Sequence, residues 1–424
     1  MKYSHENMLE FINKSASPFH TVKNVADILT EAGFVRLYEN KKWDTAEGGK
    51  YFVIRNSSSI IAFEKGSENS PFMICASHSD SPSFRIKEEQ GGVYVRLATE
   101  KYGGMILYSW FDRPLSIAGR VVVRTENGVK EILTNIDRDL LVIPSVAIHM
   151  QREVNTGFAP NPAIDLLPLF SLDKNVTFKG FLAKELSVSE SDILSHDLYL
   201  YARQKGTLVG ADSEFILSPR IDDLECVYTS LVSFLSSKST GRTKVLAVFD
   251  NEEVGSSTKQ GAASNFFSDT LERISTDRES YISSLPESFM VSADNAHAKH
   301  PAHPELSDSI CAPVLGGGIV LKYNANQSYA TEALSAALFT EICNRAGAKT
   351  QEYRNRADKL GGSTLGSIAT TKVAIPTVDI GLAQLSMHSA VETAAVSDAE
   401  EMVKALTKFY SSKTEISDEE IVIK

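Results

Sequence analysis

Lys244-Val-Leu-Ala-Val-Phe-Asp-Asn-Glu-Glu-Val-Gly-Ser256 is the stretch on which the fold turns. Its apolar run is too short for a helix and reads as a strand, Lys244–Phe249, that stops at Asp250-Asn-Glu252-Glu253. The same break recurs twice. Phe72–Ser77 runs into His78-Ser-Asp80, and Met290–Ala293 runs into Asp294-Asn-Ala-His297. In an open α/β sheet, ligands bind at the carboxyl ends of the strands. Three strand ends that each carry acid or imidazole therefore predict a site along one sheet edge.

Outward from these strands, the chain has three textures. Residues 1–90 open with helical periodicity (Met8, Leu9, Ile12; Val22, Val25, Ile28, Leu29), then read as strands at Tyr51–Arg55 and Ile60–Glu64. Residues 91–218 are strand-rich. Val121–Arg124 and Lys130–Leu133 flank Asn127-Gly128, a type I′ hairpin signal, and Pro144, Pro160, Pro162 and Pro168 punctuate the remainder. Strands without regular intervening helices do not fit a parallel α/β layout. In residues 219–424 strands alternate again with helices, at Leu224–Leu235 and at Thr331–Ala346, where Gly347 sits as a C-cap. The expected fold is α/β, with a mixed-sheet core built from residues 1–90 and 219–424 and a β-rich domain inserted at 91–218. The last dozen residues are acidic and expected to fray.

Composition bounds the function. Against 43 Lys and Arg stand 54 Asp and Glu, a net charge of −11, which argues against nucleic acid as a partner. No stretch approaches the roughly 18–20 apolar residues of a membrane span, and the N-terminus lacks the apolar run of a signal peptide. Cys75, Cys226, Cys311 and Cys343 lie far apart and form no C-x-x-C pair, as expected of reduced thiols in a cytoplasmic protein.

Imidazole and carboxylate without thiolate suit Zn²⁺ with an open position, the pattern of a catalytic metal. Two such ions sharing a carboxylate sit about 3.5–4 Å apart, and a water between them loses a proton near neutral pH. Glu252-Glu253 offers one carboxylate for metal and one for moving that proton. Each residue alone has a plainer reading. Asp222 and Asp223 precede a helix and suit N-caps, and Asp294 suits an Asx-turn. His78 and His388 suit hydrogen-bonded loop histidines, and the paired glutamates suit a solvated surface. Only their joint arrangement favours a metal site.

Ser77-His-Ser-Asp-Ser-Pro82, Arg220-Ile-Asp-Asp-Leu224, Phe249-Asp-Asn-Glu-Glu-Val-Gly-Ser256, Ala293-Asp-Asn-Ala-His-Ala-Lys-His-Pro301 and Met387-His-Ser389 resemble the aspartyl aminopeptidase family of dizinc metallopeptidases. They occur in that family's order, and Ser17-Pro-Phe-His20 matches as well. The resemblance implies that His78 and Asp294 bind one zinc, Glu253 and His388 the other, and that Asp222 bridges them. It makes Glu252 the general acid/base, Asp80 the residue orienting His78, and His149 a catalytic group reaching a neighbouring subunit's site. His297 and His300 would lie by the substrate, with Lys322 and Tyr329 in a pocket for acidic side chains. It implies removal of N-terminal Asp or Glu from peptides with a free N-terminus. It also implies that the inserted domain mediates dimer contacts within a tetrahedral homo-oligomer, a dodecamer. Co²⁺ or Mn²⁺ would suit the same O/N donors.

Two segments depart from the family pattern: Lys359-Leu360 with Ser367, and Ala390-Val-Glu-Thr393 after Met387-His388-Ser389. Both bear on the substrate pocket more than on the metals. The rival readings are a related dizinc dipeptidase or amide deacylase, an aminopeptidase of neutral preference, and an assembly protein that has lost turnover. The His297–Pro301 run and His149 weigh against the dipeptidase or deacylase, and the complete ligand set with Glu252 weighs against lost turnover.

Overall fold

A computed structural model of the chain describes residues 2–359, 361–416 and 421–424. Leu360, one of the departures noted above, lies outside them. The chain divides into two compact units: Met1–Asp80, Gly206–Met387 and Glu392–Lys424 form the first, and Ser81–Lys205 with His388–Val391 form the second.

The first unit is built on a mixed sheet of nine strands. These are β1 (Val35–Leu37), β2 (Lys50–Arg55), β3 (Ser59–Glu64), β4 (Phe72–His78), β5 (Thr243–Phe249), β6 (Phe289–Ala293), β7 (Ile319–Tyr323), β8 (Thr350–Arg354) and β9 (Thr377–Gly381). Their order is β1-β2-β3-β5-β4-β6-β9-β7-β8, and β5, β4, β6 and β9 run parallel at its centre. Alternation along the central strands sorts side chains to two faces. Met73 and Cys75 of β4 and Leu246 and Val248 of β5 join one core. Phe72, Ile74 and Ala76, with Val245, Ala247 and Phe249, join the other. Helices α1 (Ile221–Ser236), α2 (Ala333–Ala346) and α3 (Val396–Tyr410) cover the first face. Burying each large apolar side chain there contributes about 1.5–3 kcal/mol. Gly347 ends α2 at φ 66°, the left-handed cap expected of it.

The second unit holds a six-stranded antiparallel sheet ordered Gly128–Asn135, Leu115–Thr125, Ile193–Ala202, Ser83–Gln90, Val95–Tyr102, Leu169–Ser171. It has a core of its own around Phe84, Trp110, Ile117, Leu198 and Leu200.

Three details differ from the sequence reading. The first unit gives way to the second at 80/81 and resumes at 205/206, rather than at 90/91 and 218/219. Ser83–Gln90 pairs with Val95–Tyr102, whereas Phe215–Ser218 pairs with Glu392–Ala395 of the first unit. The hairpin turn falls one residue early: Thr125 pairs with Gly128, so Glu126-Asn127 is the loop, and neither of its residues has the positive φ of a type I′ turn. The C-terminus is paired rather than frayed, with Thr414–Ile416 antiparallel to Ile421–Ile423. Among the described residues no helix is long and apolar enough to cross a membrane.

Candidate metal centre

Register places the chemistry. His78 closes β4 opposite Phe249 of β5, and Ala76 lies opposite Ser292 of β6, so β4, β5 and β6 end together. The residues just past those ends, Asp80, Glu252, Glu253 and Asp294, therefore gather at one edge. α1 supplies the rest. Asp222 and Asp223 lie at its start with non-helical φ/ψ, and regular helix begins after them.

His78 is fully buried. Its Nε2 faces Asp222 Oδ1 at 3.3 Å and Asp294 Oδ1 at 3.9 Å. Its Nδ1 faces the Asp80 carbonyl oxygen at 3.0 Å and Asp80 Oδ1 at 3.4 Å. A partner on Nδ1 fixes the ring and leaves Nε2 as the outward donor, as metal-binding histidines require. Asp80 does a second job: its two carboxylate oxygens accept the backbone N–H groups of Glu252 and Glu253, each at 3.2 Å. Asn251 precedes them in the left-handed region at φ 64°, where asparagine is tolerated. Its Oδ1 accepts Thr258 Oγ1 at 2.8 Å and Gln260 Nε2 at 2.7 Å, pinning the turn.

A divalent cation fits these donors. His78, Asp222, Asp223 and Asp294 are all buried and each offers a ligand atom within 4.8 Å of the others, and the carboxylates of Asp222 and Glu253 lie equally close. Burial and then neighbouring carboxylates push Glu252 up to about 8 and Glu253 well above the usual carboxylate range. At His78 burial opposes the charged ring, but Asp223, Asp222, Asp294 and Asp80 outweigh it and hold the pKa well above its usual value. So much buried negative charge calls for a cation.

The other expected residues divide. Lys322 is buried, donating to the Asn295 carbonyl at 2.8 Å and facing Asp294 Oδ2 at 3.6 Å. Burial disfavours its charge, yet Asp294 more than compensates and its pKa is raised. Its ammonium lies 5.6 Å from the Tyr329 ring centroid, and Tyr329 is also buried. His297 is exposed on the short strand Ala296–His297, its ring 6.2 Å from Tyr353. His300 is exposed beside His303. His388, at φ 66°, opens the segment His388–Val391 that groups with the second unit, one peptide bond past Met387 of the first. His149 is exposed in a turn of the second unit.

Sequence reasoning overlooked three residues. Asp223 entered only as a helix cap, but its Oδ2 accepts the His78 backbone N–H at 2.9 Å. The doubled aspartate was the available signal, since one cap needs one. Glu392, noted above only within a departure bearing on the substrate pocket, accepts the Asp222 N–H on Oε2 at 3.1 Å. Gly381 ends β9 where a Cβ would come within 2.0 Å of the Asp294 carbonyl oxygen, so only glycine lets the two strands close here.

A parallel-centred α/β sheet with buried imidazole and carboxylates at its carboxyl edge defines a metal-dependent hydrolase. The family model described as "Aminopeptidase I zinc metalloprotease (M18)" matches residues 11–410. A probable M18 family aminopeptidase 2 of Clostridium acetobutylicum is 44% identical over 424 residues, covering 96% of this chain and 98% of that protein. Its counterpart in Ectopseudomonas mendocina is 38% identical, covering 96% and 98%. Among solved structures, the chain resembles one in the cryo-EM structure of the Ape4 and Nbr1 complex, with a TM-score of 0.92 and 34% identity, covering 96% of this chain and 85% of that one. It also resembles the S. cerevisiae mApe1 dodecamer, with a TM-score of 0.82 and 26% identity, covering 96% and 95%. The chain belongs to the M18 family of aminopeptidases. It is a zinc metalloprotease that hydrolyses peptides.

Proposed function

We propose that the chain removes N-terminal Asp or Glu from peptides with a free N-terminus, using two zinc ions. His78 and Asp294 would hold one, Glu253 and His388 the other, and Asp222 both. The carrying observation is His78, whose Nε2 looks onto Asp222 and Asp294 while Asp80 holds Nδ1. When bound, the ions would supply Lewis-acid polarisation of the scissile carbonyl and make water acidic enough to give up a proton and so become a nucleophile. Glu252 takes a proton from the attacking water on its carboxylate and returns it to the leaving amine. Asp80 keeps that carboxylate on station through the Glu252 and Glu253 N–H groups. His297 and His300 would contact the substrate.

The second unit would mediate dimer contacts within a dodecamer, with His149 reaching a neighbouring subunit's site. The exposed apolar side chains around it support this: Val146, Ile148 and Met150 are 49%, 47% and 83% exposed. A cytoplasmic location goes with this reading, supported by four cysteines without a disulfide.

One observation favours a second reading of specificity. Lys322 already faces Asp294 and the Asn295 carbonyl, which suits a residue that positions Asp294 for substrates of neutral first residue. A panel of aminoacyl-chromogenic substrates on zinc-reconstituted Lys322→Met separates the two. A loss of about 10–100-fold confined to Asp and Glu substrates is expected, the worth of a hydrogen bond to a charged group. Equal loss on leucyl substrates would leave the second reading.

A further inference from the structure

Asp379 is a carboxylate that the hydrolysis outlined above leaves unused. It lies on β9 beside Ser292 of β6 and is wholly buried. β7 pairs Val320 with Gly381 and Leu321 with Ile380, so the next residue along, Lys322, comes level with Asp379 on the same face of the sheet.

The two carboxylate oxygens divide between two loops. Oδ2 accepts the Ala330 N–H, in the loop 324–332 that leads from β7 to α2 and carries Tyr329. Oδ1 accepts the Thr364 hydroxyl at 2.7 Å, at the end of the segment Gly361-Gly-Ser-Thr364 that opens the short helix Leu365–Ala369. The loops also meet directly, the Thr364 N–H donating to the Ser328 carbonyl at 3.3 Å. Thr331 closes the first loop onto the strand: its hydroxyl accepts the Asp379 N–H at 2.8 Å and lies 3.3 Å from the Asp379 carbonyl, to which it can donate.

A carboxylate buried this far costs stability, and an apolar residue would serve as well if the position only filled the sheet. Burial raises its pKa, while the Thr364 hydroxyl, the Ala330 N–H and the Lys322 charge favour the ionised form. Packing leaves the second loop no slack, since a Cβ at Gly366 would come within 2.5 Å of Asp379 Oδ1. What the first loop presents is Tyr329, next to Ala330, with its ring 5.6 Å from Lys322 Nζ and 6.2 Å from the Tyr353 ring. We propose that Asp379 is a positioning residue for substrate recognition: by tying the Tyr329 loop to Thr364, it fixes the wall of the pocket that receives the first side chain. This rests on the reading that Lys322 and Tyr329 line that pocket, and it holds whichever side chain the pocket prefers. Loosening the tie weakens substrate binding and leaves bond cleavage intact.

Steady-state kinetics on the zinc-loaded full chain test this, with the aminoacyl-chromogenic substrate that the wild type cleaves best. Thr364→Val removes the hydroxyl and keeps the shape. KM should rise about 10–100-fold, the worth of a hydrogen bond to a charged group, with kcat and zinc content unchanged. Thr364→Ser returns the hydroxyl and should return KM to the wild-type value. Asp379→Asn puts a donor in place of one acceptor oxygen and should raise KM in the same direction; it carries the test should Thr364→Val not fold. An unmoved KM, a fall in kcat at constant KM, or a Thr364→Ser variant that fails to recover would each overturn the proposal. The Lys322→Met panel stands apart from this result: equal loss on acidic and leucyl substrates would change the preference assigned to the pocket, whereas KM here is read on whichever substrate is best.

Discussion

The metal centre and the second unit use carboxylates in opposite ways. In the second, they meet arginine: Arg120 reaches Asp197 at 2.8 Å and Glu131 at 2.9 Å, Arg138 reaches Glu185 at 2.6 Å, and Arg203 is paired with Asp137. The hydrogen bond from Arg138 holds Glu185 below the usual carboxylate range. In the first unit Asp222, Asp223 and Asp294 crowd together around one buried imidazole, Glu253 lies close to Asp222, and Lys322 stands at the margin. Burial drives Asp223 and Glu253 far upward in pKa. Carboxylates each matched by an arginine are architecture, whereas carboxylates gathered around a single imidazole form a cradle suited to a cation.

Glu252→Gln should break the contrast most sharply. Hydrolysis should fall by about 10²–10⁴-fold, the range of a lost general acid/base, while elemental analysis still finds about two zincs per chain. Loss of metal instead would mean that Glu252 and Glu253 have exchanged roles. Asp80→Asn should cost about 10–100-fold in activity or zinc affinity, read by competition with a chelator, since it disturbs a ligand's support rather than a ligand. Dialysis against a chelator should lower the melting temperature, and adding zinc back should restore it, because a cation bound only by the folded state stabilises that state. Monovalent salt at equal ionic strength should not substitute. Arg120→Gln should cost about 1–3 kcal/mol in a denaturant melt, because its largely covered guanidinium bonds both Asp197 and Glu131, and should leave activity untouched. A large catalytic effect there would erase the distinction between the units.

The central strands were legible because they are short, wholly apolar and sharply ended. Met290–Ala293, read from the sequence, is the strand Phe289–Ala293 less its first residue. Strand ends told where acids and imidazole would gather, because polarity changes within one residue at His78 and Asp294. Less legible was anything set by pairing across the chain. Ser83–Gln90 and Phe215–Ser218 look alike as isolated strands, and only their partners assign them to different units. The turn at Glu126-Asn127 slipped by one because register is a two-strand property. The backbone acceptors that hold the site, Asp223 for His78 and Glu392 for Asp222, join residues 145 and 170 positions apart, a separation that no local pattern records.

The route by which the metal cluster is gathered has a consequence for biosynthesis. His78 lies early in the chain and Asp294, its neighbour across 3.9 Å, lies far downstream. At translation speeds of about 5–20 residues per second, the second follows the first by on the order of ten seconds or more. Through that interval the nascent protein holds only part of its candidate metal-binding cluster. A peptidase assembled this way is born inert, and its activity arrives only once most of the polypeptide has left the ribosome.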